Sequence, residues 1–405
     1  MGPQFCWRQP AHTGQRGSDQ PGRPVAPHLC GGSLYIDSNA LLINLDGLAS
    51  LAAVGGTLYI DSNYSLINLG GLSSLTTVGN LYILHNDGLV NLDGLTSLAS
   101  VGGYLRIRSN DVLTNLDGLS NLPSLGGFMD IADNDSLINV GGLSNLTSVA
   151  GDVYIYGNEE LTNVDGLSSL ATAGGDLDIA YNGSLISVGG LSSLTSVGGY
   201  LAIDSNPSLT NVDGLSSLSS VAGQLSIYGN DTLTNLDGLS GLSWVGGDLD
   251  IRQDSLLTNI DGLSSLTAVG QALVIWDNFR LTDLDGLSSL TSVGGYLAMY
   301  NNDDLIEVNG LSNLTSVGGY VYIYGNDELT NLAGLSSLAT VGGDLDIFVN
   351  EVLTDIDGLS SLTSVAGELR IYDNYALCQT SVLAFLAACK PCGPEGDTTG
   401  NNNAC

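Results

Sequence analysis

The chain has few basic residues and no long hydrophobic stretch. Of its 405 residues, 9 are Lys or Arg and 42 are Asp or Glu, so the formal net charge is -33. Nucleic acids and anionic membranes bind proteins through cationic patches, so neither is an expected partner. No apolar run is long enough to cross a membrane, and membrane insertion of this chain is not expected.

Cysteine is absent from the whole central part of the chain. Disulfide candidates occur only near the two ends: Cys6, Cys30, Cys378, Cys389, Cys392 and Cys405. The ends of a repeat stack expose unpaired strand edges, so disulfide-bonded caps are expected there, in an oxidising compartment. Cys378 with Cys389 and Cys392 with Cys405 are possible pairings. Zinc is not expected, because the CxxC at 389–392 has no second CxxC and no nearby His.

One short pattern, L-x-I, recurs along almost the entire chain. Its fifteen copies begin at Leu34, Leu58, Leu81, Leu105, Met129, Val153, Leu177, Leu201, Leu225, Leu249, Leu273, Leu297, Val321, Leu345 and Leu369. The interval is 24 residues throughout, except for 23 residues from Leu58 to Leu81. A fixed period of this length predicts a solenoid, in which each repeat packs only on its neighbours. We call each repeat a rung, number the rungs 1 to 15, and count positions within a rung from the first residue of L-x-I.

Apolar residues fall at positions 1, 3, 9, 12, 15, 18 and 21 of the rung. Positions 1 and 3 show the period of two that is typical of a strand. The later spacing of three is compatible with a helix, but Gly at position 14 and the Gly pair at 22–23 disfavour one. Short strands joined by tight corners fit better. The predicted fold is therefore all-β, a parallel right-handed β-solenoid (β-helix) of about fifteen rungs.

Asparagine occupies position 6 in every rung except one. An Asn at a corner can bond its own turn and offer its amide to the next rung, which predicts a ladder of Asn side chains. Asp254 is the exception. It lacks amide donors, so a local defect is predicted there, relieved by Arg252 or Arg280.

Four segments are predicted from these patterns. Residues 1–29 form a disordered N-terminal segment without the apolar core of a signal peptide, residues 30–377 the solenoid, 378–392 a helical cap, and 393–405 a flexible Cys-terminated tail. In the cap, Val382, Leu383, Phe385, Leu386 and Cys389 have helix-compatible spacing and are expected to cover the last rung.

The repeat L-x-I-x-x-N-x-x-L, followed by L-x-x-L-x-x-V-G-G, resembles the receptor L-domain repeat. The resemblance extends from Cys30 to Cys389, and N-x-x-L-C at 374–378 resembles the terminal rung of that family. It implies a leucine-lined, right-handed β-helix and a location outside the cell or at its surface. The leucine-rich repeat L-x-x-L-x-L-x-x-N-x-L is a close competitor, in which the strand segment is one residue narrower on each side.

Outward positions 24, 2 and 4 vary most, and solenoids use such faces for binding. Position 4 carries an unbroken aromatic series in the last five rungs: Trp276, Tyr300, Tyr324, Phe348 and Tyr372. Tyr322 and Arg370 lie beside it, with Tyr296, Tyr320, Asp344, Asp346 and Glu368. An aromatic series edged by polar groups is typical of a surface that binds a sugar or a protein. Alternatively, the rings only stabilise the sheet by stacking on each other.

Acidic residues form other repeated groups. Asp152, Asp176 and Asp178 lie close together by register, which suits a glycosidase pair, but no His, Lys or Arg accompanies them. Asp213, Asp237, Asp261 and Asp285 share position 13, each before a Gly, where Asp normally accepts a backbone N–H of its own turn. Position 10 holds Thr in eight rungs and Ile or Val in six, which is irregular for an ice-binding array. No catalytic residue, metal site or cofactor is predicted.

The sequence thus predicts a non-enzymatic, extracellular or cell-surface recognition or adhesion module. Its partner would be a protein or a glycan, bound on the aromatic face of rungs 11–15. The alternatives are a purely structural surface scaffold and, less favoured, a carbohydrate-active β-helix enzyme or an ice-binding solenoid.

Overall fold

The computed structural model describes residues 28–389, 392–394 and 396–405. It contains two compact units. One comprises Met1–Leu185 and Gly189–Ser193, and the other Ile186–Val188 and Leu194–Cys405. The predicted N-terminal segment lies almost wholly outside the described residues, as does Cys6.

Two kinds of strand alternate along most of the chain. They are β1 (His28–Cys30), β2 (Leu34–Asp37), β3 (Leu51–Asp61), β4 (Thr77–Leu84), β5 (Ser100–Val101), β6 (Leu105–Arg108), β7 (Ser124–Leu125), β8 (Met129–Ala132), β9 (Ser148–Val149), β10 (Val153–Tyr156), β11 (Thr172–Ala173), β12 (Leu177–Ala180), β13 (Ser196–Val197), β14 (Leu201–Asp204), β15 (Ser220–Val221), β16 (Leu225–Tyr228), β17 (Trp244–Val245), β18 (Leu249–Arg252), β19 (Ala268–Val269), β20 (Leu273–Trp276), β21 (Ser292–Val293), β22 (Leu297–Tyr300), β23 (Ser316–Val317), β24 (Val321–Tyr324), β25 (Thr340–Val341), β26 (Leu345–Phe348), β27 (Ser364–Val365) and β28 (Leu369–Tyr372). Each L-x-I motif lies in a strand, and most two-residue strands hold positions 20 and 21.

The strands of neighbouring rungs pair in parallel, with equivalent residues opposite each other. Leu105, for example, is opposite Met129, and Ile107 is opposite Ile131. Positions 1 and 3 point inward and are fully buried in nearly every rung, as are the later leucines. This arrangement confirms the predicted parallel solenoid of 24-residue rungs.

A single turn of 3-10 helix forms the corner at positions 13–15, where short strand segments were expected. The turns are Asp46–Leu48, Gly70–Leu72, Asp93–Leu95, Asp117–Leu119, Gly141–Leu143, Asp165–Leu167, Gly189–Leu191, Asp213–Leu215, Asp237–Leu239, Asp261–Leu263, Asp285–Leu287, Asn309–Leu311, Ala333–Leu335 and Asp357–Leu359. A 3-10 helix has three residues per turn, which is the apolar spacing of this part of the rung. The Leu at positions 12, 15 and 18 therefore all face the interior.

The predicted Asn ladder is present in both units. In rung 4, the backbone N–H and the Nδ2 of Asn110 both donate to Oδ1 of Asn134, at 3.2 and 3.1 Å, and Nδ2 also donates to the carbonyl of Ile83 at 3.0 Å. These amides are fully buried. Each Asn thereby satisfies backbone groups that the corner would leave unpaired.

Asp254 keeps the side-chain acceptor of this pattern but lacks the side-chain donor. Its Oδ1 accepts from the backbone N–H and the Nδ2 of Asn230, at 2.8 and 3.2 Å, and its own N–H donates to Oδ1 of Asn278 at 3.2 Å. Its Oδ2 is buried without a hydrogen-bond partner. Relief by Arg252 or Arg280 was wrongly predicted: Arg252 pairs with Asp250 at 3.2 Å. Burial instead raises the pKa of Asp254 to about 8.

The first rung starts at β1, where Cys30 is buried and lies opposite Val54, as expected for position 21. The short rung 2 is accommodated at the corner before β4, where the register shifts between Val54 and Thr57. The side chain of Asn80, directly before Leu81, hydrogen-bonds to both neighbouring rungs. Its Oδ1 accepts from the N–H of Tyr104 at 2.9 Å, and its Nδ2 donates to Oγ1 of Thr57 at 3.1 Å.

The last rung ends in helix α1 (Gln379–Ala388), which replaces the 3-10 corner. Val382 and Cys389 are buried, as the spacing predicted, whereas Leu383 is half exposed. The disulfide pairings differ from those considered above: Cys378 bonds to Cys405, and Cys389 to Cys392.

The C-terminal residues continue the stack, where a flexible tail was expected. The N–H groups of Leu369, Ile371 and Asp373 donate to the carbonyls of Pro394, Asp397 and Thr399, at 3.2, 3.0 and 2.9 Å. Asn401 takes the ladder position, because its Oδ1 accepts from the N–H of Asn374 at 3.1 Å and its Nδ2 donates to Ile371 at 2.8 Å. The tail thus pairs with the backbone edge of the final rung.

Candidate functional site

The aromatic residues at position 4 form one continuous column in the second unit. Successive ring centroids from Trp276 through Tyr300, Tyr324 and Phe348 to Tyr372 are 4.7 to 5.3 Å apart, and adjacent planes differ by 5 to 19°. The rings are half-buried. Parallel register places equivalent side chains one strand spacing apart, so the rings stack face to face. Most ring faces are therefore covered by neighbouring rings, and the edges are presented to solvent.

A groove runs beside this column, and we call it the tyrosine groove. It is lined by Val274, Tyr296, Ala298, Tyr300, Tyr320, Tyr322, Tyr324, Asp344 and Asp346, with a volume of about 460 Å³. Tyr296 and Tyr320 at position 24 stack at 4.4 Å and form one side. Tyr300 and Tyr324 form the other, and the small side chains at position 2, Val274 and Ala298, leave the space between. The volume falls in the range of small-molecule sites, roughly 300–1,000 Å³.

Tyr322 lines the groove at position 2, between Ala298 and Asp346 of the neighbouring rungs. Its ring meets Tyr300, Tyr320 and Tyr324 edge to face, with centroids 5.1 to 6.5 Å apart and interplanar angles of 69 to 83°. Burial raises the pKa of Tyr300 to about 12 and also raises the pKa values of Tyr320 and Tyr322. The phenols therefore keep their protons and stay neutral near pH 7.

An ion-pair network adjoins the end of the groove at Asp344 and Asp346. Arg370 donates through Nη2 to Oδ2 of Asp346 and Oδ2 of Asp344, at 2.7 and 2.9 Å, and through Nη1 to Oε2 of Glu368 at 3.1 Å. Three carboxylates thus share one guanidinium. The predicted residue Arg370 is held by this network and is not among the residues that line the groove.

In the first unit, an arginine side chain lies against aromatic rings at the same outward positions of the rung. The guanidinium of Arg106 lies over Phe128 and Tyr82, at 5.0 and 5.8 Å from the ring centroids. Its Nε donates to Oδ2 of Asp130 at 2.8 Å, and Nε of Arg108 donates to Oδ1 of the same residue at 2.9 Å. Asp130 is 2% exposed, so both Arg side chains cover it. Sequence reasoning missed this cluster, although its residues share outward positions in adjacent rungs.

The other predicted groups have local structural partners. At position 13 the backbone N–H donates to the side chain at position 11, as from Asp237 to Oδ1 of Asn235 at 3.1 Å, so Asp is not the acceptor in its own turn. Burial and the neighbouring carboxylates of Asp283 and Asp237 raise the pKa of Asp261. The Thr hydroxyls at position 10 donate to the preceding rung, as from Thr258 to the carbonyl of Thr234 at 3.1 Å.

Neither a metal cluster nor a membrane helix occurs in the part of the chain that the structure describes. No three His, Cys, Asp or Glu side chains converge there in a way that could hold a metal ion. None of the helices there has the length and apolar character that crossing a bilayer requires.

No family model and no curated protein sequence matches the chain. Among solved structures, an internalin of Listeria monocytogenes is similar at 14% identity and a TM-score of 0.41, with 89% of this chain and 84% of the internalin covered. A leucine-rich-repeat protein of Leptospira interrogans has 17% identity and a TM-score of 0.28 over 79% and 90% of the two chains. TLR13, from a complex with single-stranded RNA, has 15% identity and a TM-score of 0.17 over 91% and 80%. The parallel solenoid of 24-residue rungs predicted from the sequence is the fold of this chain.

Proposed function

We propose that this chain is a non-enzymatic recognition or adhesion module that acts outside the cell or at its surface. It binds a protein or carbohydrate partner on the outward strand face of rungs 11–15. The tyrosine groove carries this proposal. It combines aromatic side chains, hydroxyl groups and carboxylates in a concave site of ligand size, which is the composition of many recognition sites.

A purely structural scaffold is the second candidate. The face-to-face column from Trp276 to Tyr372 favours it, because rings that cover each other stabilise the sheet without a ligand. The groove distinguishes the two candidates. The open space above Ala298 contributes nothing to ring stacking, whereas a binding module needs such a space for its ligand.

A printed glycan array and a random-sequence peptide array test the proposal. We expect the wild type to bind a defined subset of one array, and the double variant Trp276→Ala/Tyr324→Ala to lose that signal. The matched control is Tyr156→Ala/Tyr228→Ala, which removes two rings at the same position 4 that lie outside the aromatic column. No binding on either array supports the scaffold, and release of reducing sugars from a bound glycan contradicts the non-enzymatic assignment.

A further inference from the structure

In the first unit, an arginine side chain packs against aromatic rings on the outward strand face. The guanidinium of Arg106 lies over two rings and donates a hydrogen bond to Asp130. Arg106 and Arg108 together cover the carboxylate of Asp130. Arg108 lies over Tyr156 at 4.7 Å in the same way, and in the second unit Arg252 lies over Tyr228 at 4.6 Å. Cation–π contact together with a carboxylate is thus a repeated arrangement on the outward positions 24, 2 and 4.

The tyrosine groove has the same parts without the cation. Ala298 occupies position 2, which Arg106 occupies in rung 4, and its methyl group leaves the groove open. Tyr322 and Asp346 follow at position 2 of the next two rungs. Within the described residues, every guanidinium found over a ring lies over Tyr82, Phe128, Tyr156, Tyr228 or Trp276, and thus over none of the groove tyrosines.

The negative charge around the groove favours a positively charged ligand. Asp344, Asp346 and Glu368 carry three negative charges against the single positive charge of Arg370. The chain as a whole carries a formal charge of -33, so a basic partner is also attracted over long range. The polar atoms of the lining are phenol and carboxylate oxygens, and a guanidinium has five N–H donors that such oxygens can accept.

We propose that the tyrosine groove binds an arginine side chain of a basic partner protein, with the guanidinium among the tyrosine rings and directed towards Asp344 and Asp346. This inference rests on the proposed recognition function and names the partner chemistry. A neutral glycan in the same groove is the competing outcome.

Two capped five-residue peptides, Gly-Ser-X-Ser-Gly with X as arginine or as its neutral isostere citrulline, test the proposal against the full chain. Saturation-transfer NMR at low ionic strength detects millimolar binding. We expect the arginine peptide to bind at least tenfold more tightly than the citrulline peptide, and its affinity to fall as salt is added. Equal binding of the two peptides overturns the proposal.

Tyr320→Ala and Tyr104→Ala form a matched pair of variants. Both residues occupy position 24, with 42% and 43% exposure, and both stack on a neighbouring ring, at 4.4 and 4.3 Å. We expect Tyr320→Ala to weaken binding of the arginine peptide at least fivefold and Tyr104→Ala to leave it unchanged. Equal losses in both variants indicate non-specific attraction to an acidic surface and contradict the proposal.

Ala298→Arg is a second, independent variant, because it supplies the missing cation from the chain itself. It should abolish binding of the arginine peptide while the far-ultraviolet circular dichroism spectrum stays that of the wild type. Unchanged peptide binding in this variant contradicts the proposal.

The arrays distinguish failure of the arginine inference from failure of the recognition function. If the glycan array shows binding that depends on Trp276 and Tyr324 while neither peptide binds, the arginine inference fails and the recognition function stands. If the wild type binds no glycan and no peptide on either array, the proposed recognition function is contradicted as well.

Discussion

At the scale of single residues, the Asn ladder depends on one amide that is donor and acceptor at once. Oδ1 accepts from the preceding rung while Nδ2 donates to the following Asn and to a backbone carbonyl. Asp254 supplies the acceptor but has a second oxygen where the donor belongs. That oxygen is buried without a partner, which explains why the neutral, protonated acid is favoured in the folded chain.

Asp254→Asn should stabilise the fold, and more so at high pH. The folded chain holds a proton on Asp254 up to about pH 8, while an unfolded Asp releases it near pH 3.9. The stability of the wild type therefore falls as the pH rises from about 4 to about 8, and the Asn variant lacks this contribution. We expect a gain of about 1–3 kcal/mol at pH 8.5 from the restored amide.

Urea denaturation of both proteins at pH 5.0 and pH 8.5 measures this effect. The difference in midpoint should be larger at the higher pH. Asn278→Asp, which places a second acid next in the ladder, should shift the midpoint in the opposite direction. A difference that is the same at both pH values contradicts the assignment of the proton to Asp254.

Position 5 of the rung has a left-handed backbone in both units. Ser, Asp, Asn or Gly usually occupies it, and of these Gly, Asn and Asp adopt that conformation most readily. Val349 is an exception, with φ of 54° and a β-branched side chain. We expect Val349→Asn to raise the free energy of unfolding by about 1 kcal/mol, because the left-handed conformation costs roughly 1–2 kcal/mol for such residues.

The urea midpoint measures this change too. Gly325→Val provides the reverse substitution at the same position of the preceding rung, where φ is 63°, and should lower the midpoint. A lower midpoint for Val349→Asn would show that the packing of the valine outweighs the backbone strain.

At the scale of the element, the 3-10 corner explains why Gly recurs at position 14. A Cβ on Gly166 would overlap the carbonyl oxygen of Val140 in the preceding rung. The corners of adjacent rungs approach so closely that no side chain fits between them. Gly47 holds the same position in rung 1, before which the described residues include no corner, and a Cβ there meets nothing within 4 Å.

The pair Gly166→Ala and Gly47→Ala tests this close approach. We expect Gly166→Ala to destabilise the fold by more than about 2 kcal/mol, because the backbone must shift to admit the methyl group. Gly47→Ala should change stability by less than about 0.5 kcal/mol. Thermal unfolding of the two variants gives the comparison, and similar losses in both would mean that Gly is needed for its backbone conformation instead.

The strands and the ladder could be predicted from the sequence, because their period of two recurs in every rung and their Asn column is broken only at Asp254. The 3-10 corner could not be distinguished from a short strand, although its spacing of three is the period of that helix. The polar residues of the tail show no repeat and therefore predict a flexible segment, yet Asn401 provides the ladder position. The groove depends on the small side chain of Ala298, which no residue-type pattern marks.

At the scale of the whole molecule, the excess of 33 negative charges opposes folding through mutual repulsion. Salt screens such charges, with a Debye length of about 10 Å at 0.1 M and about 3 Å at 1 M. We expect the melting temperature to rise steadily between 0.02 and 0.5 M sodium chloride. Differential scanning fluorimetry measures this, and a melting temperature that falls with salt would indicate that ion pairs such as those of Arg370 dominate the electrostatics.

Rung 2 shows how the stack responds to a change in chain length. A lost residue there is absorbed within one corner, and the strands on either side keep their pairing. Gain or loss of a whole repeat would disturb even less, since almost every rung offers its neighbours the same ladder donor and acceptor. A gene built this way can lengthen or shorten by unequal recombination between its copies, so homologous chains should differ in their number of repeats.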